Sequence, residues 1–434
     1  MRPLPLFDRL RRPPTSAPRP DDLPSADESY NGRLLRLEGI FASIVFGTLP
    51  AFYALYAIRL GASNSVIGWL TAGPSLLNTF WQIPCGRLIQ RMRSYRPVML
   101  GGVVFQRLFI MALALVVFLP AQWAPWGIVA LVTLSAFPSS LWGIAMQAAW
   151  GDMFSRRQFP RMIGLRWAAA NTTTLFLVLL LGRWVDSVRY PLNFQLMFAV
   201  VGFISLASLW MIAKYRLPAV SRSEPQPPAS NASFRPALGA SLRRYRKFII
   251  LQATAFVGYV AIYAAQPLFR IYWVRDLGAA GGWIGALTAA WSLGTTGGNI
   301  IWGRWSHPRR NRRLLLLCAL GLMAIYPLAT AAFHSLPPLL GVNLLVGFLA
   351  GGSDLMILNR SMELAPRDQR ASLMAVYSSM IAASGFVAPL ISTRLADLWG
   401  ARSVLALAGG LGLVGAALIF SLGWGQSPAE TELL

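Results

Sequence analysis

The 434-residue sequence predicts an all-α membrane protein with twelve transmembrane helices in two six-helix halves, each half built from two inverted three-helix repeats. Three observations predict this fold. Apolar segments of helix length recur along the chain, basic residues concentrate in alternate connecting segments, and the second half of the sequence repeats the first. Charged residues make up only 13% of the chain, whereas about 25% of residues are charged in a soluble domain.

Twelve apolar segments have the length of a membrane helix, since about 20 residues are needed to cross a hydrocarbon core of about 30 Å. A membrane helix satisfies its own backbone hydrogen bonds, so prolines inside these segments predict kinks rather than loops. The segments are 38–58, 66–86, 98–119, 126–149, 162–182, 194–213, 248–269, 283–303, 314–333, 338–359, 372–393 and 402–423.

The distribution of lysine and arginine predicts the orientation. With the N-terminus in the cytoplasm, 30 of the 39 basic residues fall in cytoplasmic segments, seven in external loops and two, Arg107 and Arg166, within helices. Positive residues accumulate on the cytoplasmic side of membrane proteins, so we expect a multi-pass protein of the plasma (inner) membrane with both termini in the cytoplasm. The predicted organisation is a disordered tail at 1–35, six-helix halves at 36–213 and 248–424, a cytoplasmic linker at 214–247 and a cytoplasmic tail at 425–434.

An internal duplication supports the division into halves. A shift of 217 positions places SVIGWLTAGPSLLNTFWQIPCGRL (65–88) over GWIGALTAAWSLGTTGGNIIWGRW (282–305), with 11 of 24 positions identical. Further along, the shift becomes 211. The pairs placed in register include Gly86-Arg87 over Gly303-Arg304, Leu60-Gly61 over Leu277-Gly278, Asp152 over Glu363 and Asp186 over Asp397.

A short basic motif ends the second and fifth predicted helices of each half. It reads GRLIQRMRSYR at 86–96, GRWVD at 182–186, GRWSH at 303–307 and TRLAD at 393–397. One copy in each half is predicted to be cytoplasmic and the other external, as two inverted three-helix units would produce. We interpret the motif as a helix-exit turn, in which glycine permits a tight bend and arginine anchors the helix at the interface.

The first copy resembles the loop signature of the major facilitator superfamily, Gly-x-x-x-Asp-Arg/Lys-x-Gly-Arg-Arg/Lys, with Gly86, Arg91 and Arg96 as matches. The resemblance covers residues 36–424 and implies a transporter whose helices 1, 4, 7 and 10 line a central cavity. The chain departs from the signature at its Asp, which is Gln90 here. The resemblance implies that this Asp helps to latch the halves on the cytoplasmic side. The candidate gating residues are Gly86, Arg87, Arg91, Gly303 and Arg304, with Asp152 and Glu363 as substitutes for the missing carboxylate.

Helix 7 carries a polar stripe along one face, since Gln252, Phe256, Tyr259, Tyr263, Gln266 and Arg270 are spaced three or four residues apart. Polar groups in a membrane are costly unless they face protein or water. We therefore predict that the stripe faces the cavity; hydrogen bonding to neighbouring helices is the alternative. The predicted substrate-binding residues are Gln252, Tyr259, Tyr263 and Gln266, with Asn343 from helix 10.

Five of the charged residues inside or at the ends of predicted helices are candidates for particular roles. Asp354 lies roughly 24 Å into helix 10, where a carboxylate with few charge partners can exchange protons near neutral pH. It is the proton-coupling candidate, and a permanent ion pair is the alternative. Glu38 is expected to open helix 1 and to interact with the helix dipole. Arg107 is expected to be structural or functional, and Arg59 and Arg270 to anchor helices or attract anions at the mouth.

The function predicted from these features is secondary active transport of a small organic solute by alternating access, with protons as a candidate coupling ion. Uptake of a polar nutrient, efflux of amphipathic compounds including drugs, and a non-transporting membrane receptor remain open. Lys214 and Lys247 are the two lysines, and neither follows a glycine, so the phosphate loop of an ATP-driven pump is absent. His307 and His334 are too isolated for a zinc site. We expect a monomer in the lipid bilayer that is not an enzyme and uses no metal, cofactor or nucleic acid.

The predicted orientation can be tested with single cysteines in intact cells. Cysteines introduced at positions 94, 158, 230 and 310 should be shielded from a membrane-impermeant thiol reagent, because these positions are predicted to be cytoplasmic. Cysteines at 122, 187 and 336 should react. Labelling from outside at position 230 would reverse the orientation.

Overall fold

The computed structural model describes residues 25–90, 92, 94–155, 158–217, 246–305, 324–364 and 370–421. These residues form twelve helices. The helices are α1 (Ala26–Arg59), α2 (Asn64–Gln90), α3 (Arg96–Phe118), α4 (Ala124–Met153), α5 (Phe159–Ser187), α6 (Leu192–Ala213), α7 (Arg246–Ile271), α8 (Gly281–Trp305), α9 (324–332), α10 (Leu336–Leu364), α11 (Arg370–Trp399) and α12 (Ala401–Ser421).

The surface of the helix bundle is suited to lipid. Eight helices in the described part of the chain are long and apolar enough to cross a membrane. Large apolar side chains point away from the protein, among them Phe118, Phe176 and Phe203. Such exposed aromatic rings would be a liability in water, whereas hydrocarbon solvates them. The chain is a multi-pass membrane protein.

The two halves pack by the same rules, as the duplication predicts. In the first half α1 packs on α5 and α2 on α4, and in the second half α7 packs on α11 and α8 on α10. The halves meet through α2 against α11 and through α5 against α8. Each of these contacts has its counterpart under the repeat. The arrangement confirms the predicted fold of twelve helices in two repeated halves.

The turns that follow α1 and α7 show the duplication in backbone geometry. Gly61 and Gly278 have φ angles of 83° and 65°, a left-handed conformation that glycine adopts without the steric penalty of a Cβ. Both residues follow the last turn of their helix, and they are equivalent under the shift of 217 positions. We call this end of the bundle, where Gly400 also lies, the outer end, because the basic residues predict it to be external.

Helix α1 begins earlier than the sequence predicted. Its first residue is Ala26, and Ser25 and Glu28 form a capping box in which each side chain accepts a hydrogen bond from the other residue's backbone N–H. Such a box satisfies two of the free N–H groups at a helix start. The assignment of residues 26–35 to a disordered tail is therefore wrong. The remaining tail residues 1–24, the linker residues 218–245 and the tail 425–434 lie outside the described residues.

The extended start of α1 is tied to the segment that follows α6. Asn31 donates through Nδ2 to the carbonyl of Arg216 at 2.9 Å and accepts from the Arg216 N–H at 2.9 Å. The Arg216 side chain pairs with Asp27 at 2.6 Å. Beside them, Arg96 at the start of α3 donates to the carbonyl of Tyr215 at 2.7 Å. These contacts hold α1, α3 and α6 together at the inner end of the first half.

Glu38 lies inside α1 and forms a buried ion pair. The sequence placed it at the helix start, but α1 begins at Ala26, twelve residues before it. Arg166 of α5 donates to the Glu38 carboxylate through Nε at 2.8 Å and through Nη2 at 3.3 Å. The side chains of the pair are 0% and 6% exposed. The predicted role of Glu38 in the first turn is therefore wrong, and its role is to join α1 to α5.

Arg107 of α3 is a second buried cation beside this pair. It is 1% exposed, donates to Gln106 and lies over the ring of Phe46 at 5.3 Å. Its Nε and Nη2 have no hydrogen-bond partner among the described residues, and it interacts electrostatically with Glu38 and with Tyr53. One carboxylate therefore compensates two buried guanidinium groups in the first half.

Two positions chosen for cysteine labelling are unsuitable in the folded protein. Gln158 and Leu336 are 5% and 8% exposed, so a cysteine at either position would be shielded on whichever side of the membrane it lay. Ser155 and Ser335 are exposed and lie in the same loops. These two serines are the better positions for the orientation test.

Replacing Glu38 with glutamine should destabilise the first half. Arg166 and Arg107 would then be buried without a carboxylate, and removing one partner of a buried pair costs about 3–5 kcal/mol. We expect a clearly lower melting temperature for Glu38→Gln in detergent, measured by intrinsic tryptophan fluorescence.

Asp27→Asn is the matched control, because it also removes a carboxylate from an ion pair of α1. The Asp27 side chain is 65% exposed, and exposed pairs contribute about 1 kcal/mol or less. If Glu38→Gln melts at the same temperature as Asp27→Asn, the buried pair does not stabilise the fold.

Candidate functional site

At the outer end, a carboxylate of one half binds the start of a helix from the other half. Asp186 of α5 accepts hydrogen bonds from the backbone N–H groups of Gly281 and Gly282, at 2.7 and 2.6 Å. These N–H groups belong to the first turn of α8, where they have no partner within the helix. The positive end of the helix dipole adds to the attraction.

The repeat supplies a second contact of the same kind. Asp397 of α11 accepts a hydrogen bond from Asn64 Nδ2 at 2.8 Å, and Asn64 is the first residue of α2. Asp397 is equivalent to Asp186, and Asn64 to Gly281, under the two shifts found in the sequence. Arg275 strengthens this contact by donating to Asn64 and to the carbonyl of Ala62.

Helices of opposite halves approach closely behind these contacts because glycines lie between them. A Cβ at Gly285 of α8 would lie 2.5 Å from the carbonyl oxygen of Val178 in α5. The equivalent Gly68 of α2 faces Thr393 of α11 in the same way. A side chain at either glycine would force the halves apart.

These contacts correct the interpretation of the repeated basic motif. Gly182 does not bend the chain, since α5 continues to Ser187, and a Cβ there would lie 2.7 Å from the carbonyl of Gly281. The two outer copies of the motif, at 182–186 and 393–397, supply the carboxylates and small side chains that join the halves. The bend assigned to them from the sequence is wrong.

The inner copies do not form bends at their glycines either. α2 continues past Gly86 to Gln90, and α8 continues past Gly303 and Arg304 to Trp305. The side chains of Arg87 and Arg304, and the whole of Arg91, lie outside the described residues. Their predicted part in a cytoplasmic latch stays a prediction.

Of the two acidic residues proposed for that latch, Asp152 is described and Glu363 is not. Asp152 lies exposed in the last turn of α4. Burial, and next the nearby Asp152 carboxylate, raise the pKa of Tyr95 in the loop before α3. Asp152 therefore lies beside the loop that carries the family-like signature. The Glu363 side chain lies outside the described residues, as does that of Asp354.

A cavity of about 550 Å³ lies between the halves, on the inner side of the closing contacts. Ligand sites in proteins usually measure about 300–1,000 Å³, so it has room for a small organic molecule. The lining residues are Pro50, Tyr53, Ala54, Ile67, Leu70, Thr71, Pro74, Val132, Ile262, Gln266, Pro267, Phe269, Arg270, Trp273, Thr288, Trp291, Tyr326 and Asn343.

The cavity follows the internal repeat, but its two walls differ in chemistry. Ten lining residues come from α7–α10 and eight from α1, α2 and α4. The first half contributes mostly aliphatic side chains and the second half an arginine, two amides and two tryptophans. Equivalent positions that both line the cavity are Pro50 and Pro267, Tyr53 and Arg270, Thr71 and Thr288, Pro74 and Trp291, and Val132 and Asn343.

Two of the five predicted substrate-binding residues, Gln266 and Asn343, line this cavity. Gln266 is solvent-accessible there. Asn343 is buried and accepts a hydrogen bond from the Tyr326 hydroxyl at 2.8 Å, while its own Nδ2 donates to the carbonyl of Leu339 at 2.8 Å. Asn343 therefore fixes Tyr326 in the wall and keeps one N–H for other partners.

The other three predicted residues lie further along α7 toward the inner end. Tyr259 is buried, with its hydroxyl 3.1 Å from that of Tyr377 in α11. Tyr263 contacts the same cluster and lies near Gly385, where α7 meets α11. Gln252 is buried about two helical turns before Tyr259 in α7. The described lining of the cavity includes none of these three, so hydrogen bonding between helices fits Tyr259 better than direct contact with a solute.

Arg270 is the residue that the sequence interpretation misplaced. Its Nη1 has no hydrogen-bond partner within the described part of the chain, and its guanidinium lies over the ring of Trp273 at 5.1 Å. It was assigned to the outer helix end because the apolar segment was predicted to stop at 269. The helical backbone instead continues through Asp276. Its place on the polar stripe of α7 was the available signal.

Comparison with known proteins identifies the family. The model of the Major Facilitator Superfamily matches residues 37–272 and 251–433. The chain belongs to the major facilitator superfamily. No curated protein sequence matches it significantly.

Solved transporter structures share this superfamily fold. A bacterial homologue of the human lysosomal transporter Spinster, in an inward-facing, unoccupied conformation, has a TM-score of 0.64 at 14% identity and covers 93% of this chain and 99% of its own. A variant of the nucleoside transporter NupG has a TM-score of 0.65 at 12% identity, covering 91% and 100%. The human organic anion transporter MFSD10 has a TM-score of 0.61 at 16% identity, covering 90% and 99%. At these identities the likeness concerns the fold alone.

Alanine at Gln266 should weaken the binding of a transported solute more than alanine at Tyr263. Gln266 is accessible in the cavity, whereas Tyr263 lies at the junction with α11. We expect a rise in KM for Gln266→Ala with little change in melting temperature, and the reverse pattern for Tyr263→Ala. Unchanged KM in both variants, in protein that reaches the membrane, would exclude both residues from the site.

Proposed function

We propose that this superfamily member is a secondary active transporter that moves a small organic solute by alternating access. The cavity between the halves carries the proposal, because both halves line it and the contacts that close it are confined to helix ends. The hydrogen bonds that Asp186 and Asp397 accept can break without unfolding any helix. Separation of the halves at the outer end would then open the cavity to that side.

The internal repeat supports a rocking motion of the two halves. The halves meet through two equivalent helix pairs, α2 with α11 and α5 with α8, so the cavity lies on the pseudo-two-fold axis. Rocking of one half against the other around this central site would expose it to one side of the membrane and then to the other. The clamp between Asn31 and Arg216 would let the first half move as a unit.

The orientation of the protein in the membrane determines which side of the cavity is closed. The distribution of basic residues favours a plasma (inner) membrane protein with both termini in the cytoplasm. In that orientation the contacts of Asp186 and Asp397 would face the outside. The closed outer end therefore corresponds to a state in which solute exchanges with the cytoplasm. A wall that is half aliphatic favours amphipathic solutes over sugars, and efflux of such compounds is the second candidate.

Asp354 of α10 is the proposed site of proton coupling. The residue lies eleven positions beyond Asn343, which corresponds to about 16 Å along the helix toward the inner end. A proton taken up there would neutralise a carboxylate in a medium of low dielectric constant, and this change favours a different arrangement of the halves. The alternative is a permanent ion pair with Arg360 or with the first half.

The proposal is tested with Asp354→Asn in proteoliposomes, using a solute found by a thermal-shift screen of the purified protein. Binding raises the melting temperature by mass action. We expect the variant to lose accumulation driven by a proton gradient and to keep exchange of solute between the two sides. Asp27→Asn, an exposed carboxylate variant, should keep both activities.

Two outcomes would contradict different parts of this proposal. A solute that binds but does not cross the membrane in the natural protein would favour the receptor alternative. Accumulation at the normal rate in Asp354→Asn would leave transport intact and would remove Asp354 as the coupling site.

A further inference from the structure

We propose that the cavity selects organic anions, with the anionic group bound by Arg270 and the apolar body held against the first half. The inference rests on the proposed function, because it names the chemical class of solute for the same cavity. It starts from one cation in the cavity wall for which the described residues supply no counter-charge.

The described residues of the cavity wall hold Arg270 in position but leave part of its hydrogen-bonding capacity unused. The face of Trp273 orients the guanidinium through a cation–π contact at 5.1 Å. Nη1 is buried from solvent and makes no hydrogen bond to any residue that the structure describes. An arginine fork that is held in place with a free N–H group is suited to a carboxylate or phosphate oxygen.

The described residues around Arg270 do not compensate its positive charge. The described residues that line the cavity include no aspartate and no glutamate. The electrostatic partner identified for Arg270 is the phenol of Tyr326, whose hydroxyl proton is already donated to Asn343. Along α10, Asp354 lies about 16 Å beyond Asn343. Arg270 is partly buried, and a desolvated cation without a partner is costly. An anion entering the cavity therefore gains an interaction that no described group supplies.

The opposite wall of the cavity, formed by the first half, indicates the chemistry of the uncharged part of the solute. Across the pseudo-two-fold axis, the position equivalent to Arg270 is Tyr53, and the position equivalent to Asn343 is Val132. Ile67 and Leu70 extend this aliphatic and aromatic wall. A solute with a charged group at each end would have to place one of these groups, without its hydration water, against these apolar side chains. The geometry therefore favours a molecule with one anionic end and an apolar remainder.

Aromatic rings around Arg270 favour a planar apolar body. The ring centroids of Trp291 and Phe269 lie 5.4 and 4.0 Å from that of Tyr326, so the three rings form a cluster of tilted aromatic contacts in the second-half wall. Trp291 lines the cavity beside it. Aromatic surfaces attract further rings in offset or edge-to-face arrangements. An aromatic carboxylate combines both elements in a volume that the cavity of about 550 Å³ accommodates.

The proposal is tested by binding of 2-naphthoate and its neutral analogue 2-naphthamide to the purified protein in a neutral detergent. The two probes share their ring system and differ in charge. We expect naphthoate to bind at least tenfold more tightly in the natural protein, measured by isothermal titration calorimetry and by the rise in melting temperature. Arg270→Gln should remove this preference and leave naphthamide unaffected.

Arg189→Gln is the matched control, because it removes one positive charge from an exposed position in the loop between α5 and α6. It should keep the preference for naphthoate. Arg270→Lys keeps the charge without the fork and should weaken naphthoate binding only in part. It also decides the matter if Arg270→Gln does not fold, since unchanged naphthoate affinity in Arg270→Lys would overturn the proposal.

The remaining outcomes separate this inference from the proposed function. Equal affinities for the two probes, or no binding of naphthoate at millimolar concentration, would overturn the anion preference. So would an unchanged preference in Arg270→Gln. The binding experiment uses no membrane and no gradient. Absence of flux in vesicles together with a naphthoate preference would therefore refute transport and leave the anion site in place.

Discussion

The architecture depends on the contact between a carboxylate of one half and the start of a helix in the other. Asp186 reaches the N–H groups that begin α8 at 2.6–2.7 Å, and Asp397 reaches Asn64 at the start of α2. Each contact joins an ion to the positive end of a helix dipole and requires the helices to lie within van der Waals distance. Gly68 and Gly285 make that approach possible. These contacts hold α5 on α8 and α2 on α11. They also close the outer side of the cavity.

The fold was largely predictable, because it follows from quantities that a sequence carries directly. Apolar length and a repeat with 11 identities in 24 positions determine the number of helices and their pairing. Helix starts were less predictable, since the polar turn before Glu38 lies beyond the apolar segment and is held by the Ser25–Glu28 box. The role of Gly182 could not be predicted, because a glycine that permits a bend and one that admits a neighbouring helix have the same local sequence.

The candidate site was predictable where polarity follows the helical period and not elsewhere. Gln266 lies on the stripe of α7 and lines the cavity, whereas Tyr259 lies on the same stripe and bonds to Tyr377. Periodicity assigns a side chain to a face, and the depth of the cavity along that face depends on tertiary packing. Tyr53 and Val132 carry no polar signal, so their place in the wall could be found only from the structure.

The two halves have kept one set of equivalent residues alike and let another diverge. The closing pairs, Asp186 with Asp397 and Gly68 with Gly285, retain the same residues. Among the lining pairs, Pro50 with Pro267 and Thr71 with Thr288 are also retained, whereas Tyr53 with Arg270 and Val132 with Asn343 differ. A chamber with true two-fold symmetry would accept a guest in two equivalent poses related by rotation. Divergence of the lining leaves one of these poses preferred, so a passenger with distinct ends would travel through the protein always facing the same way.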